Sequence, residues 1–370
     1  MKSVFRSIYA VSMIAGLTIG VGIFSLPYIT GKVGILTMFL YIMALTALVL
    51  FVNLLFVEVS LKTPNYLRLA GYARMHLGEF GKYIAAAFSA IEGLGTILAY
   101  IVIGGGFLYG LLSPFLGGSL FIYVFLYFAV GAIYIFLGSK AISKINFAGI
   151  LVFFAAIFLV FFNGLGSLKL SNLFFLGDSS HLFLPYGAIL FALWGATMVP
   201  EAEEILQSDR KKIRRAVILG TVIPGAFYFL FCLMILALSG GQTSPEAISG
   251  LQGILGGRVI AFMFLAGIMA TFTSYVSVGL NLKKVLWYDM KVKESVAWLI
   301  TCFVPFLLYL LGFNNFIKII GFVGAFALAM EGILIVLMYR KISIKRPLFI
   351  YPLILIFVAG MIYEIIYFLW

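Results

Sequence analysis

Apolar runs long enough to cross a lipid bilayer recur along this chain and leave few residues over for anything else. A transmembrane helix needs about 20 predominantly apolar residues. Eleven such runs are read at roughly 7–30, 34–61, 80–112, 119–138, 144–164, 184–206, 213–239, 257–286, 295–312, 316–339 and 347–369. With 64% hydrophobic and only 10% charged residues, the chain reads as an all-α integral membrane protein of about 11 transmembrane helices. A spanning chain must satisfy its backbone polar groups internally, which helices do.

The net charge of +12 invites a nucleic-acid reading, but its distribution argues for topology instead. With the N-terminus placed in the cytoplasm, 21 of the 25 Lys and Arg fall in cytoplasmic loops, leaving Lys32, Lys169, Arg258 and Lys318 outside. Such a split is the positive-inside rule. It predicts a cytoplasmic N-terminus, an extracytoplasmic C-terminus and no nucleic-acid partner. The opening Met1–Arg6 segment superficially resembles a signal peptide, yet the Gly20–Pro27 interruption falls where a signal's apolar region is continuous. It is expected to be span 1.

Two runs are interrupted in the same way. Span 1 contains Gly20-Val21-Gly22-Ile23-Phe24-Ser25-Leu26-Pro27, and span 6 contains Gly195-Ala196-Thr197-Met198-Val199-Pro200. The Gly22–Pro27 and Gly195–Pro200 spacings are equal, and the two glycines lie 173 residues apart. Glycine costs a helix interior about 1 kcal/mol, and proline removes a backbone donor. In hydrocarbon such a break is tolerated only where the freed backbone lines a cavity or is buried in protein. Matched breaks in two halves point to a transporter binding site. Spans 1–5 (about 7–164) and 6–10 (about 184–339) give two halves of odd count, hence a 5+5 inverted repeat within one transmembrane domain over 1–369. Span 11 (347–369) is an addition.

The break in span 1 frees amide donors at the start of the half-helix near Ile23, where the positive helix end suits a carboxylate. The break in span 6 frees carbonyls around Phe191, Ala192 and Trp194, which suit an ammonium group. Thr18, Gly20, Val21, Gly22 and Ile23 on one side, and Phe191, Ala192, Trp194 and Gly195 on the other, are therefore expected to hold an α-amino acid zwitterion. The competing role for the glycines is close helix packing. Phe24, Tyr100, Phe191 and Trp194 stand beside the breaks as candidate pocket walls, with Trp194 or Phe191 as a gate.

Ionisable groups at membrane depth are costly and usually functional. Glu92 in span 3 and Glu331 in span 10 are candidate proton carriers, and Glu92 serves equally well as a hydrogen-bonded interhelical contact. Glu58 and Glu364 lie near span ends, close to water. Glu203 and Glu204, with Glu201, follow the span 6 break toward the cytoplasm. They are expected to pair with the basic 210–215 run, Arg214 included, as an inner gate. Residues 62–80 predict a short amphipathic helix, and 165–183 a linker between the halves. Residues 240–256 predict a short outer helix started by Ser244, Pro245 and Glu246, either a lid or a surface loop.

The segment Ile19–Tyr28 resembles the first-helix motif of the amino acid/polyamine/organocation superfamily. Glu58-Val59-Ser60-Leu61-Lys62-Thr63-Pro64, Ala99–Gly106, Val199–Leu206 and Lys211–Thr221 resemble its amino acid/auxin permease branch, especially small prokaryotic aromatic amino acid permeases. The resemblance runs from span 1 to about span 10. It implies the leucine-transporter fold, with broken helices 1 and 6, and secondary transport of an aromatic or large neutral amino acid. In that fold helix 3 lines the site, which makes Tyr100 the hydroxyl placed to reach a substrate carboxylate. Ala270-Thr271-Phe272-Thr273-Ser274 resembles the sodium-binding spacing of helix 8. The implied ligands are Ala270, Thr273 and Ser274 with the carbonyls of Gly16 and Ile19. A lysine that replaces sodium in proton-coupled relatives is absent from Phe147–Phe162. Sodium is thus the expected coupling ion and a proton the alternative; no other cofactor is expected.

Other classes fit poorly. His76 and His181 fall in loops on opposite sides, and Cys232 and Cys302 fall within spans, so neither a metal cluster nor a disulfide is expected. No nucleotide-binding Gly-x4-Gly-Lys loop occurs. An intramembrane enzyme needs a nucleophile–base pair or a metal cluster that the spans do not offer; a channel or a transport-like receptor is the third class, and such a receptor normally adds a soluble signalling domain. The expectation is an ion-coupled symporter of a prokaryotic inner membrane, with the bilayer and an amino acid as partners and no obligate protein partner. Spans 1, 2, 6 and 7 would rock against spans 3, 4, 8 and 9.

Overall fold

Every apolar run read from the sequence is helical in the computed structural model, which describes residues 2–64, 66–138, 143–174, 177–343, 348 and 350–369. Lys140, Lys345 and Arg346 of the charge count, and the side chains of Lys2 and Lys144, lie outside what is described. Among the described residues seven helices are long and apolar enough to cross a bilayer, and an eighth crosses if Phe5–Thr18 and Val21–Val33, bent by 48°, count as one span. Val152–Ser167 and Glu294–Leu310 are shorter apolar helices. The sequence reading of eleven therefore counts short and interrupted helices as spans.

The helices sort into two packed groups. α1 (Lys2–Thr18), α3 (Ile35–Leu61) and α8 (Val199–Leu206) pack on one another or on α9 (Arg210–Ser239). α4 (Leu69–Leu116), α5 (Leu120–Leu137), α11 (Gly257–Lys284) and α12 (Glu294–Leu310) form the second group. α14 (Ala329–Ile342) touches both, through α3 and α4. In the second group a buried and a half-buried aromatic carry hydrogen bonds between helices: Tyr127 Oη donates to Thr271 Oγ1 (2.8 Å) and Trp298 Nε1 to the Ala132 carbonyl (3.0 Å). Each such bond contributes about 0.6 kcal/mol in a membrane protein, so the group is stiffened by several small terms. Leu36, Ile133, Phe136, Leu137 and Phe162 stay exposed on outer helix faces, as lipid-facing side chains do.

Polar contacts gather the basic helix ends on one face. Arg210 binds Glu58 through two bonds (Nε–Oε1 3.0 Å, Nη2–Oε2 2.7 Å), joining the start of α9 to the end of α3. Lys62 Nζ donates to the Ile342 carbonyl (3.1 Å), joining α3 to α14. Lys283 pairs with Glu294 at 2.8 Å. Asp209 caps α9 by accepting from the Lys212 amide at 3.2 Å.

Two loop expectations fare differently. The short helix expected within 62–80 is present over residues 69–77, set off from the membrane-crossing part of α4 by the non-helical Gly78, whose φ of 81° favours glycine. The signal at Ser244–Glu246 starts no helix. The Glu246 carboxylate instead accepts from the Ser249 amide (3.1 Å) and Ser244 Oγ from the Gly250 amide (3.1 Å), forming compact turns ahead of a one-turn helix, α10 (Gln252–Leu255). Ser and Asx-type side chains compete with helix in this way.

His76 sits in the 69–77 helix with Nε2 2.9 Å from Thr63 Oγ1. Burial holds its imidazole below the usual value. The neutral ring is therefore favoured in the folded protein, and burial makes its protonation cost stability as pH falls below about 6.5. His76→Gln should flatten the acid side of a melting-temperature profile between pH 5 and 7; a profile identical to wild type contradicts this.

Candidate functional site

Both interruptions adopt one backbone plan. α1 ends at Thr18, two non-helical residues follow, a 3-10 turn covers Val21–Phe24, and α2 (Leu26–Val33) starts with Pro27 in its first turn. α7 (Leu184–Leu193) ends likewise, Trp194 and Gly195 are non-helical, a 3-10 turn covers Ala196–Met198, and α8 starts with Pro200 in its first turn. Proline is tolerated there because the first-turn amides lack helical partners anyway. The described backbone bonds through the first break run Gly20 N–H to Thr18 O (2.8 Å), Ile23 N–H to Gly20 O (3.4 Å) and Ser25 N–H to Gly22 O (3.2 Å). None of these uses the Val21 or Gly22 amide.

The breaks touch each other. A Cβ added at Gly22 would lie 2.7 Å from Ala192 Cβ and 2.9 Å from Ala192 Cα, so only glycine allows this approach. From α9, the fully buried Tyr228 hydroxyl reaches both helix ends, donating closely to the Thr18 carbonyl and lying 3.0 Å from that of Ala192. The Ala192 carbonyl, read from sequence as free for a ligand, is thus already approached by a protein donor.

A cavity of about 260 Å³ lies at the meeting point. Eight of the ten expected substrate residues line it: Thr18, Gly20, Val21, Gly22, Tyr100, Phe191, Ala192 and Trp194. Ile23 is wholly buried away from it, and Gly195 backs it through Thr18. Exposed Arg68, Glu201 and Asn281 border its mouth on the basic face. On the far side Phe24 packs edge-on against Phe107 and Phe153 (centroids 5.1 and 5.9 Å), closing that direction. Phe24, read as a pocket wall, is instead part of this closure.

Both intramembrane glutamates line the cavity. Glu331 accepts from Ser89 Oγ on α4 (2.7 Å) and from the Trp194 indole N–H (3.1 Å), linking the second helix group to the break. Glu92 lies near enough for their charges to interact.

The remaining expected residues are placed differently. Thr273 Oγ1 donates back to the Ala270 carbonyl (3.1 Å), Tyr100 Oη meets Ser274, and nothing lies within 4 Å of where a Gly16 Cβ would be. No described contact joins Gly16 or Ile19 to Ala270, Thr273 or Ser274. The expected inner-gate pairing also takes another form. Buried Glu203 accepts from Ser60, itself 3.0 Å from the Tyr72 hydroxyl, and from Ser208 (3.1 Å). Arg210 turns to Glu58, while Glu204 and Arg214 are exposed and joined by no described ion pair. A buried carboxylate is held by short hydroxyl contacts, and a long basic chain reaches the nearest carboxylate at the water line.

Sequence reasoning missed Tyr228, Ser89, Thr96 and Asn281. Tyr228 is one of 20 tyrosines in a chain with 17% aromatics, so its residue type carries no signal. The others come from helix faces that only packing assigns.

The comparisons bear on what this geometry belongs to. Mhp1 in an inward facing conformation superposes with a TM-score of 0.71 at 15% identity, over 96% of this chain and 88% of that one. MhsT in complex with L-phenylalanine superposes with a TM-score of 0.62 at 16% identity, over 97% of each. At these identities the likeness is one of fold, the leucine-transporter fold. Tyrosine-specific transport system 1 of Haemophilus influenzae is 26% identical over 338 residues, 86% of this chain and 84% of that protein. Tyrosine-specific transport system 2 of the same organism is 28% identical over 248 residues, 65% of this chain and 59% of that protein. The model of the tryptophan/tyrosine permease family matches residues 4–366, and this multi-pass membrane protein with two broken helices around one cavity belongs to that family.

Proposed function

We propose that the chain is a secondary active transporter that carries an aromatic amino acid by ion-coupled symport and alternating access. The observation that carries this reading is the pair of matched breaks meeting at one cavity, closed toward one face by Phe24, Phe107 and Phe153. The Val21 and Gly22 amides receive the substrate carboxylate, and carbonyls at the end of α7 receive its ammonium. The names of the tyrosine-specific relatives and the phenylalanine bound to MhsT support an aromatic side chain. The 5+5 inverted repeat gives the two breaks their common plan, and the motif resemblance favours the amino acid/auxin permease branch. The basic face is cytoplasmic by the positive-inside rule, so the N-terminus lies inside, the C-terminus outside, and the cavity mouth faces the cytoplasm of a prokaryote.

Two coupling ions have support. Sodium fits the hard oxygens of Gly16, Ile19, Ala270, Thr273 and Ser274, which would converge when α1 closes onto α11. A proton fits Glu331, which ties Ser89 to Trp194 at the break. Proteoliposome uptake of labelled tyrosine under an inward sodium gradient or an inward proton gradient separates them. With sodium coupling, Thr273→Ala with Ser274→Ala raises the sodium concentration for half-maximal uptake about tenfold. With proton coupling, Glu331→Gln abolishes gradient-driven uptake and leaves tyrosine exchange intact. Absence of uptake under both gradients contradicts the transport reading.

A further inference from the structure

The two intramembrane carboxyls of the cavity differ in one respect that the transport reading does not use. Glu331, 1% exposed, has both oxygens engaged, by Ser89 and Trp194. Glu92, half-buried at the cavity wall, meets the Thr96 side-chain hydroxyl one turn on, and no other hydrogen bond to its carboxyl is described. Thr96 lines the same wall at 4% exposure, its hydroxyl turned to Glu92 and otherwise unpartnered among the described residues. Buried polar groups are normally paired, and a carboxyl whose one described partner is a single hydroxyl keeps acceptor capacity for a molecule bound in the cavity.

Their position indicates which part of a substrate arrives there. Tyr100, Thr96 and Glu92 occupy one face of α4 at intervals of four residues, about 6 and 12 Å along its axis. The Tyr100 hydroxyl lies 4.0 Å from where a Gly20 Cβ would be, which sets that end of the stripe at the break. An amino acid with its carboxylate at the Val21 and Gly22 amides can extend its side chain along this stripe toward Glu92.

We propose that Glu92 is the specificity-determining acceptor for the polar tip of the substrate side chain, a phenolic O–H or an indole N–H, with Thr96 beside it. The inference rests on the function proposed above and adds the group that ranks tyrosine and tryptophan above phenylalanine.

Calorimetric titration of the purified full chain with L-tyrosine, L-tryptophan and L-phenylalanine tests it, with wild type, Glu92→Leu and Glu92→Gln compared. Wild type should bind tyrosine at least tenfold more tightly than phenylalanine. Glu92→Leu should weaken tyrosine about tenfold, as for the loss of one buried hydrogen bond, and leave phenylalanine within threefold. Glu92→Gln, which keeps an acceptor oxygen, should retain most of the preference. If the leucine variant is not recovered folded, Glu92→Ala reads the same ratio. Equal wild-type affinities, or a leucine variant that weakens both ligands alike, overturns the inference and leaves the transport reading standing. A wild-type protein that binds none of the three overturns both.

Discussion

Gly22→Ala lowers tyrosine affinity at least tenfold, and Gly22→Leu abolishes binding. The reason is steric and lies across the cavity: the new Cβ would stand 2.7 Å from Ala192 Cβ and 2.9 Å from its Cα. The second of these is main chain, so a rotamer change cannot relieve it and one break must move from the other. Overpacking of this kind costs about 1–3 kcal/mol, which is roughly ten- to a hundredfold in affinity if it falls on the bound state. Gly106→Ala is the control, because nothing lies within 4 Å of its added Cβ. A scintillation proximity assay with labelled tyrosine measures the effect. Wild-type affinity in Gly22→Ala would mean that the substrate does not need the two breaks in contact.

Tyr228→Phe is expected to lower tyrosine affinity about tenfold and the melting temperature by a few degrees. The hydroxyl is fully buried and lies against the Thr18 and Ala192 carbonyls, the last-turn acceptors of α1 and α7. Removing it takes away the one O–H donor that these two buried carbonyls share, at about 1–3 kcal/mol for an unsatisfied group. Interhelical hydrogen bonds in membranes reach at most about 1.7 kcal/mol, so the lower part of that range is the better guide. Both carbonyls belong to cavity-lining residues, which is why binding should suffer alongside stability. A variant with unchanged affinity and a lowered melting temperature would make Tyr228 a structural tie only.

The membrane class, most of the helices and the positions of both interruptions are legible in the sequence alone. Each follows from a local rule that lipid enforces strictly. An apolar run of about 20 residues has few alternatives to a helix, and a glycine followed within a turn or two by a proline weakens one. Eight cavity residues were legible for the same reason, since they flank the breaks. Tertiary structure alone decided that Gly22 meets Ala192, that Tyr228 ties both helix ends, that Glu331 holds Trp194 and that Glu203 takes Ser60 rather than a basic partner. These are contacts between residues far apart in the chain, on helices apolar around most of their circumference. In such a chain hydrophobic periodicity does not mark the inward face, because lipid and protein interior look alike to a side chain. Which face of α4 or α9 turns to the cavity is therefore fixed only when the helices pack.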